Sequence, residues 1–451
     1  MAPIPVPGPV GWCAAPGSRR SAMSIDLDHY QLRLGNGDGV PARLPKGRYL
    51  EEEYAGLERQ RLWPSTWQMA CLTSDVAEPG DWFEYRMGDQ SYLVVRGHDG
   101  ELRAFHNACR HRGFQLCEGK GNADELRCGF HDWCYGLDGS LKEVVYRKHF
   151  GVVANENLSL SPVRLGTWHQ MVFINPSPDG PGLDEFLDPV PDTLAPFNLG
   201  ERNLTACWTI PLGGNWKTTV DAFNEAYHLE GLHPGLRGFM DALNTTYELW
   251  DRGHSMMKIP LGIGSPRFPD ADQEEVARAF VDNYSTMLGL QPGTEADLAG
   301  QTARDWAVGL VRDRAAAEDV DFSHYSDEQI LDDYHYLVFP NVVLNVHSDM
   351  FTIFRARPGD HAGHSHFDFW LFHRLGDRAG SGPPPEMIHF PEGTVIAEVV
   401  NQDLDGIGRV QAGMASNGIE ELILGDFDCR LVNMHAELDR VLAVADKGSR
   451  Q

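Results

Sequence analysis

The sequence is poor in positive charge and in cysteine, and it contains no long apolar run. Its 451 residues include 38 lysines and arginines against 65 aspartates and glutamates, a formal net charge of −27 at pH 7. Because an acidic surface repels phosphate, we exclude a nucleic-acid partner. No stretch of about 18 apolar residues is present, so we expect no membrane-spanning helix. Eight cysteines in a chain of this length do not make the dense framework of a small disulfide-stabilised domain.

The N-terminal segment shows neither a signal peptide nor a pattern of secondary structure. Prolines interrupt its apolar stretch, and Arg19 and Arg20 follow that stretch instead of preceding it. We therefore predict a disordered tail over residues 1–24 and a cytoplasmic location for the protein.

The chain beyond the tail is long enough for two domains. Leu50, Tyr54 and Leu57 recur at helical spacing. Short strand-like segments follow between residues 82 and 105, separated by Gly-Asp and Asp-Gly turns. We predict a first, largely β domain over residues 45–175, which includes the preceding helix.

A second domain over residues 200–451 is predicted to combine strands with helices. The Pro/Gly/Asp-rich segment 176–192 is typical of a linker in front of it. Strand patterns border a stretch with helical patterning at about 268–328, which we interpret as an insertion that covers a pocket. Residues 25–44 are candidates to pack on this second domain. Further helices are predicted over 216–228, 394–414 and 428–444.

Four metal-ligand residues occur in two short segments of the first domain. Cys109 and His111 stand in one segment, Cys128 and His131 in the other, and 16 residues separate His111 from Cys128. Two thiolates and two imidazoles suit a tetrahedral structural zinc. They equally suit a 2Fe-2S cluster with both cysteines on one iron and both histidines on the other. The spacing alone leaves both alternatives open.

A second set of candidate ligands lies in the second domain. Asp221, Glu225 and His228 follow one another at positions i, i+4 and i+7, which places them on one face of the predicted helix. His233 follows His228 by five residues, directly before Pro234. The helix loosens there, so both imidazoles can reach one ion.

Asp403 is the candidate third ligand. It lies on the apolar stripe of a predicted helix, whereas Asp405 faces away. A carboxylate that faces a core is costly unless it is paired or binds a metal. With His228 and His233 it makes the two-histidine, one-carboxylate set that leaves open positions on ferrous iron. The alternative is that Asp403 only caps a backbone group. The stripe consists of Ile396, Val399, Val400, Ile407 and Val410.

Both sets of residues resemble one known family, the Rieske-type non-heme iron aromatic-ring-hydroxylating oxygenases. CRHRG at 109–113 and CGFHDW at 128–133 are similar to the cluster loops of Rieske proteins, although Asp132 stands where glycine is commoner. Four further features of this sequence are similar to the catalytic domain of the family's alpha subunit. These are Asn-Trp-Lys at 215–217, a carboxylate three residues before the first histidine, a second histidine five residues after it, and a late aspartate. The resemblance covers residues 45–445.

The resemblance implies an α+β fold and two iron cofactors. An all-β Rieske domain is joined to a catalytic domain whose antiparallel sheet is covered by helices in a helix-grip, START-like arrangement. A Rieske 2Fe-2S cluster is then held by the first set of ligands and mononuclear Fe(II) by the second. The implied cluster ligands are Cys109, His111, Cys128 and His131, and the implied iron ligands are His228, His233 and Asp403.

The resemblance also assigns a role to carboxylates beside the iron. Glu225 joins an iron-bound histidine to a Rieske histidine of a neighbouring subunit and carries the electron across. Asp221 is a second candidate catalytic residue. Transfer between subunits implies a ring-shaped homotrimer, with or without a β subunit.

The implied reaction inserts oxygen from O2 into an organic substrate. The chain has no credible dinucleotide or flavin motif, so a ferredoxin or reductase must supply the electrons. Residues 103–148, with eight lysines and arginines against six aspartates and glutamates, are a candidate docking face for this electron donor.

We predict hydroxylation or dihydroxylation of a hydrophobic aromatic or polycyclic substrate. The alternative within this chemistry is a monooxygenase or N/O-demethylase acting on a smaller substrate such as a quaternary amine. A non-enzymatic alternative is a colourless, zinc-stapled carrier of hydrophobic ligands.

Overall fold

Two large β-sheets dominate the structure, a computed structural model that describes residues 27–35, 40–150, 158–374 and 383–448. The tail predicted over residues 1–24 lies outside the described residues. Every helix in the described part of the chain is too short or too polar to cross a lipid bilayer. The strands are β1 (Ala42–Pro45), β2 (Gln68–Leu72), β3 (Asp81–Met87), β4 (Gln90–Arg96), β5 (Leu102–His106), β6 (Lys120–Asn122), β7 (Leu126–Arg127), β8 (Cys134–Tyr135), β9 (Leu141–Glu143), β10 (Pro162–Trp168), β11 (Met171–Asn175), β12 (Asn203–Leu212), β13 (Thr246–Leu249), β14 (Ser255–Ile259), β15 (Asp333–Val338), β16 (Val342–Val346), β17 (Met350–Pro358), β18 (Ser365–His373), β19 (Ile388–His389) and β20 (Glu421–Leu424).

Helices lie before, between and after the strands. They are α1 (Gly47–Leu50), α2 (Glu52–Leu57), α3 (Leu183–Leu187), α4 (Val190–Leu194), α5 (Trp216–Ala222), α6 (Leu229–Leu232), α7 (Gln273–Leu288), α8 (Ala303–Ala317), α9 (Asp327–Leu331), α10 (Glu398–Met414) and α11 (Cys429–Gly448). Within the range predicted as an insertion, α7 begins at a capping box in which Asp272 and Glu275 bond each other's backbone N–H groups.

The first sheet has seven strands in the order β2-β11-β10-β5-β4-β3-β6, with antiparallel neighbours throughout. Leu93 of β4 pairs with Phe105 of β5, and both are buried on the same side because cross-strand partners share a face. The small sheet β7-β8-β9 adds Tyr135 to this core, which also contains Cys109 and Cys128. The core of the first domain therefore adjoins the two loops with metal-ligand residues.

The second sheet has eight strands in the order β13-β14-β15-β16-β17-β18-β12-β19. Its neighbours are antiparallel apart from the short pair β12–β19. Phe354 of β17 lies opposite Phe369 of β18 and stacks on it with ring centroids 5.6 Å apart. Phe223, which follows α5, stacks on Phe367 at 5.5 Å. Aromatic packing thus holds the end of α5 against the sheet, and the predicted α+β fold class is confirmed.

Buried polar contacts join the N-terminal segment to the second domain. Glu58 accepts from the Lys217 ammonium at 2.6 Å and from the Trp216 indole N–H at 3.0 Å. The Glu58 and Lys217 side chains are 2% and 0% exposed. Asn215 caps α5 by accepting from the Lys217 backbone N–H. The Asn-Trp-Lys motif thus anchors α5 to the segment that follows α2. The sequence analysis assigned that segment to the first domain.

Two local predictions differ from the structure. The helix predicted over 216–228 ends at Ala222, so Asp221, Glu225 and His228 do not share one continuous helix face. The physical reason is that Glu225 accepts the backbone N–H of His228 at 2.8 Å, which replaces the helical bond in this turn. The segment predicted as a linker over 176–192 contains α3 and the start of α4, because Leu183, Leu187 and Val190 bury their side chains.

Candidate metal centres and active site

The two loops of the first domain have equivalent turns. In each, the residue four positions after the cysteine donates its backbone N–H to the cysteine carbonyl: Gly113 to Cys109 at 2.8 Å and Asp132 to Cys128 at 2.9 Å. Both residues have a positive φ, 75° for Gly113 and 57° for Asp132. Glycine is favoured in this conformation and aspartate tolerates it, so Asp132 preserves the loop shape despite its departure from the commoner glycine.

The thiols and imidazoles of these loops converge. The rings of His111 and His131 lie 4.6 Å apart between centroids, and Cys109 and Cys128 are buried and form no disulfide. The Nδ1 atom of His131 is buried without a hydrogen-bond partner, a costly arrangement that a metal ligand would relieve. Burial raises the pKa of the Cys109 thiol, so a cation is needed to hold the thiolate there. This donor set fits a 2Fe-2S cluster.

Tyr135 is a residue at this centre that the sequence analysis missed. Its hydroxyl lies 3.3 Å from Cys109 Sγ and accepts the backbone N–H of Arg110 at 3.0 Å. Because the oxygen already accepts a bond, its own proton is free to point at the sulfur. Sequence spacing does not indicate this contact, since Tyr135 lies on β8 and Cys109 in the loop after β5, and the two meet only in the folded domain.

His228, His233 and Asp403 form the second group, and one donor atom from each lies within 4.8 Å of the others. The Nε2 atom of His233 lies 2.8 Å from Asp403 Oδ1, and the Nε2 atom of His228 lies 3.9 Å from the same oxygen. Asp403 is buried on α10 and Asp405 is exposed. Two imidazoles and one carboxylate on one side of a cavity fit ferrous iron with open coordination positions.

The apolar stripe predicted around Asp403 is only partly buried. Ile407 is buried, but Val410 is 53% exposed and Val399 is 37% exposed. The reason is that this face of α10 borders open space on both sides of Asp403: Val399 and Val400 line one cavity, and Ile407 and Val410 line another.

Both histidines are oriented through their Nδ1 atoms. His228 Nδ1 lies 2.7 Å from Glu225 Oε1, and His233 Nδ1 lies 2.7 Å from Gln402 Oε1. Each Nδ1–H can donate to its oxygen, which leaves the Nε2 lone pairs free beside Asp403. Burial alone would lower the pKa of His228, but the bond to Glu225 and the charges of Glu225 and Asp403 outweigh it and raise that pKa. Gln402 was missed by the sequence analysis, although it directly precedes Asp403.

Asp221 lies beside this group but bonds elsewhere. Its Oδ2 atom accepts from the Tyr49 hydroxyl at 2.5 Å, and His435 Nε2 lies 3.6 Å from its Oδ1 atom. Tyr49 belongs to α1, so Asp221 connects the N-terminal segment to α5. The structure therefore brings Glu225, rather than Asp221, into contact with a candidate metal ligand.

Two cavities meet at the second group. A cavity of about 150 Å³ reaches His228, His233 and Asp403 from the side of the large sheet. A second, of about 380 Å³, reaches His228 and Asp403 together with Glu225, Asp221 and Asp428. Burial, together with the charges of Glu225 and Asp221, raises the pKa of Asp428 to about 6. We call the first the sheet-side cavity and the second, which is lined by Asp221, Glu225 and Asp428, the acidic depression. Glu225 and His228 line both and thus separate them. The apolar residues of the sheet-side cavity are Phe223, Leu229, Leu236, Met240, Met257, Ile259, Phe354, Phe367, Phe369, Val399 and Val400.

Comparison with known proteins matches a family model to each of the two parts of the chain. The model of the ring hydroxylating alpha subunit (catalytic domain) matches residues 203–444, and that of the Rieske [2Fe-2S] domain matches residues 66–154. These ranges contain the second and the first group of donors, respectively.

Curated relatives of this chain include oxygenase subunits of monooxygenases. The oxygenase subunit of glycine betaine monooxygenase from Pseudomonas aeruginosa (strain UCBPP-PA14) is 29% identical over 236 residues, 52% of this chain and 51% of the relative. The oxygenase subunit of carnitine monooxygenase from Escherichia coli (strain K12) is 28% identical over 269 residues, 56% of this chain and 67% of the relative. The chain thus spans about half the length of the first of these relatives.

The fold itself is shared with a solved dioxygenase. Naphthalene 1,2-dioxygenase from Rhodococcus sp. superposes with a TM-score of 0.63 at 18% identity, over 89% of this chain and 94% of that chain. The paired donor sets, the two-sheet architecture and the match over more than half of the chain lead to one assignment. This chain belongs to the ring-hydroxylating alpha subunit family and carries the Rieske [2Fe-2S] domain of that family.

Proposed function

We propose that this chain is the oxygenase component of a Rieske non-heme iron oxygenase that receives electrons from a ferredoxin or reductase. The observation that carries the proposal is the presence of two converging donor sets in one chain, the second of which opens on a cavity. Cys109, His111, Cys128 and His131 would hold the cluster, and His228, His233 and Asp403 the mononuclear iron. When bound, the cluster supplies single electrons and the ferrous iron supplies a site for O2 activation beside the substrate.

The chain's own residues orient the ligands and shape the pocket. Glu225 and Gln402 hold the imidazoles of His228 and His233 with their Nε2 atoms toward Asp403. Phe354 and Phe369 form part of an apolar wall that keeps water away and places the substrate next to the iron ligands.

Charge complementarity supports electron transfer between copies of this chain. Arg112 and Phe130 are exposed beside the cluster loops, with the guanidinium over the ring. The depression beside His228 is lined by the carboxylates of Asp221, Glu225 and Asp428. Opposite charges favour docking of one surface on the other. We therefore propose a ring-shaped homotrimer in which Glu225 connects His228 to the cluster loop of a neighbouring copy.

A cytoplasmic location is part of the proposal. The seven cysteines in the described residues are all unpaired. Unpaired thiols are typical of a reducing compartment.

A quaternary amine is the substrate class with the best support. Two of the similar proteins are named for glycine betaine and carnitine. The cavity wall of this chain has aromatic rings, whose faces attract N-methylated cations. This favours a monooxygenase on a small cation over the hydrophobic aromatic substrate expected from the sequence. The apolar lining keeps ring hydroxylation as the second candidate.

Metal analysis of anaerobically purified protein tests the two donor sets. We expect a red-brown protein with about three iron atoms and two sulfides per chain. A colourless protein that contains zinc without iron and sulfide would contradict the proposal.

A substrate panel tests the substrate class. With a surrogate ferredoxin system, we expect O2 uptake and a mass-detected product with at least one quaternary amine. Oxidation of aromatic hydrocarbons without any oxidation of quaternary amines would instead establish the second candidate.

Replacing Tyr135 by phenylalanine should lower the reduction potential of the cluster, because a hydrogen bond to Cys109 Sγ stabilises the more negative reduced form more than the oxidised form. We expect a shift on the order of tens of millivolts in a spectroelectrochemical titration. Tyr146→Phe, on an exposed residue, serves as the control. An unchanged potential in Tyr135→Phe would exclude the bond to Cys109.

A further inference from the structure

The sheet-side cavity contains a second polar group besides the iron ligands. Asp333 and His335 of β15 and Asn345 of β16 line it among the apolar residues. Asp333 and His335 are two positions apart on one strand, and Asn345 lies opposite His335 on the next, so all three side chains share one face. Among the described residues, no hydrogen bond or ion pair connects this group to His228, His233 or Asp403.

Asp333 is the charged member of this group and is 3% exposed. His335 Nε2 lies 3.1 Å from its Oδ2 atom, and the Asn345 amide donates to its Oδ1 atom. His347 Nε2 lies 3.5 Å from Oδ1. In the described part of the chain, no lysine or arginine lies within ion-pair distance of Asp333.

No lysine or arginine among the described residues pairs with Asp333, so its partners in the chain are two imidazoles and one amide. Burial alone would raise the pKa of Asp333, but the two histidines and the amide outweigh it and hold that pKa below its ordinary value. Burial lowers the pKa of His347 and so opposes the protonation of this imidazole. An ionised carboxylate in an otherwise apolar cavity is costly unless a partner compensates it.

Two further observations indicate that a ligand is the partner. The Nδ1 atom of His335 is buried at the cavity without a hydrogen-bond partner. The ring of Tyr284, which also lines the cavity, adds an aromatic surface beside the same residues. A buried carboxylate next to aromatic rings is suited to an organic cation, and it repels a second carboxylate.

We propose that Asp333 and His335 form a recognition subsite that accepts a cationic or hydrogen-bond-donating group and rejects a carboxylate. This rests on the proposed function and narrows it: quaternary amines include both zwitterions that carry a carboxylate and cations that do not. The subsite selects the cations without a carboxylate, so the substrate class of this chain is an N-alkylated organic cation that carries no carboxylate.

Two pairs of ligands matched in carbon skeleton test this selection. One pair is choline and glycine betaine, and the other is a 4-hydroxybutyl trimethylammonium ion and γ-butyrobetaine; within each pair a hydroxymethyl group replaces a carboxylate. Binding to the metal-loaded protein is measured by calorimetry. We expect each alcohol to bind more than about tenfold tighter than its carboxylate. Equal binding, preference for the carboxylates or absence of binding in both pairs would overturn the inference, and this comparison needs no variant.

Asp333→Asn assigns the selection to one residue. We expect the variant to reduce the difference within each pair to less than about threefold. Asp282→Asn, on an exposed residue of the same helix as Tyr284, removes the same charge and should keep the full difference. A preference that persists in Asp333→Asn would overturn the assignment.

Oxygen uptake with the same ligands separates this inference from the proposed function. Turnover of carboxylates in preference to alcohols would leave an oxygenase but overturn the selection by Asp333. The expected binding preference without O2-dependent oxidation of any cation would uphold the subsite and contradict the proposed function.

Discussion

Asp403→Ala is expected to remove the mononuclear iron and to abolish turnover while the visible spectrum of the cluster stays unchanged. Asp403 offers a carboxylate oxygen near both Nε2 atoms, 2.8 Å from that of His233 and 3.9 Å from that of His228. Loss of an outer partner of a metal ligand already costs about 10- to 100-fold in affinity or activity. Loss of the carboxylate ligand itself should therefore lower turnover by more than about 100-fold.

Iron analysis together with the visible spectrum measures this outcome. His111→Ala should give the reverse pattern, loss of the visible spectrum with mononuclear iron retained. Asp405→Ala is the matched control, because Asp405 is exposed on the same helix two residues away. An Asp403→Ala protein that keeps iron and turnover would refute this ligand assignment.

Glu225→Gln is expected to keep both metals and still to slow turnover severely. One carboxylate oxygen lies 2.7 Å from His228 Nδ1 and the other accepts the His228 backbone N–H at 2.8 Å. An amide offers one acceptor oxygen and no negative charge, so it can satisfy only one of these two contacts. The imidazole loses its charged partner, and the proposed connection to a neighbouring cluster loses its carboxylate. We expect a decrease in turnover of about 100-fold.

Rapid kinetics locate this defect. The rate of cluster reduction by the electron donor should equal that of the unmodified protein, whereas reoxidation of the reduced cluster with O2 and substrate should slow in parallel with turnover. Asp428→Asn is a control for charge in the same depression, since Asp428 does not bond His228. Near-normal reoxidation in Glu225→Gln would rule out its bridging role.

The candidate donors were predictable where they lie close together in the chain. Cys109 and His111 share one tight turn, as do Cys128 and His131, so backbone geometry over a few residues brings each pair together. His228 and His233 are likewise five residues apart. The details of the segment were less predictable: Asp221 and Glu225 were placed on one helix face, but the helix ends between them.

Contacts across distant segments were not predictable in the same way. Gln402, Tyr135 and Asp333 occupy ordinary positions in the sequence, and each acquires its role from a partner on another strand, loop or helix, which for Asp333 is Asn345. The substrate class depends on such contacts. The sequence analysis predicted a hydrophobic aromatic or polycyclic substrate on the family resemblance, whereas the buried carboxylate of Asp333 in the cavity favours a cation.

The residues suited to bind metal could be inferred from spacing and residue type, because short-range geometry follows from the backbone. The family and its α+β organisation were implied by the resemblance of these short motifs to a known family. The orientation of each imidazole, the separation of the two cavities and the charge inside the substrate pocket depended on the folded chain. These properties arise where segments far apart in sequence are packed together and their side chains are withdrawn from water, and a pattern along the chain does not specify that packing.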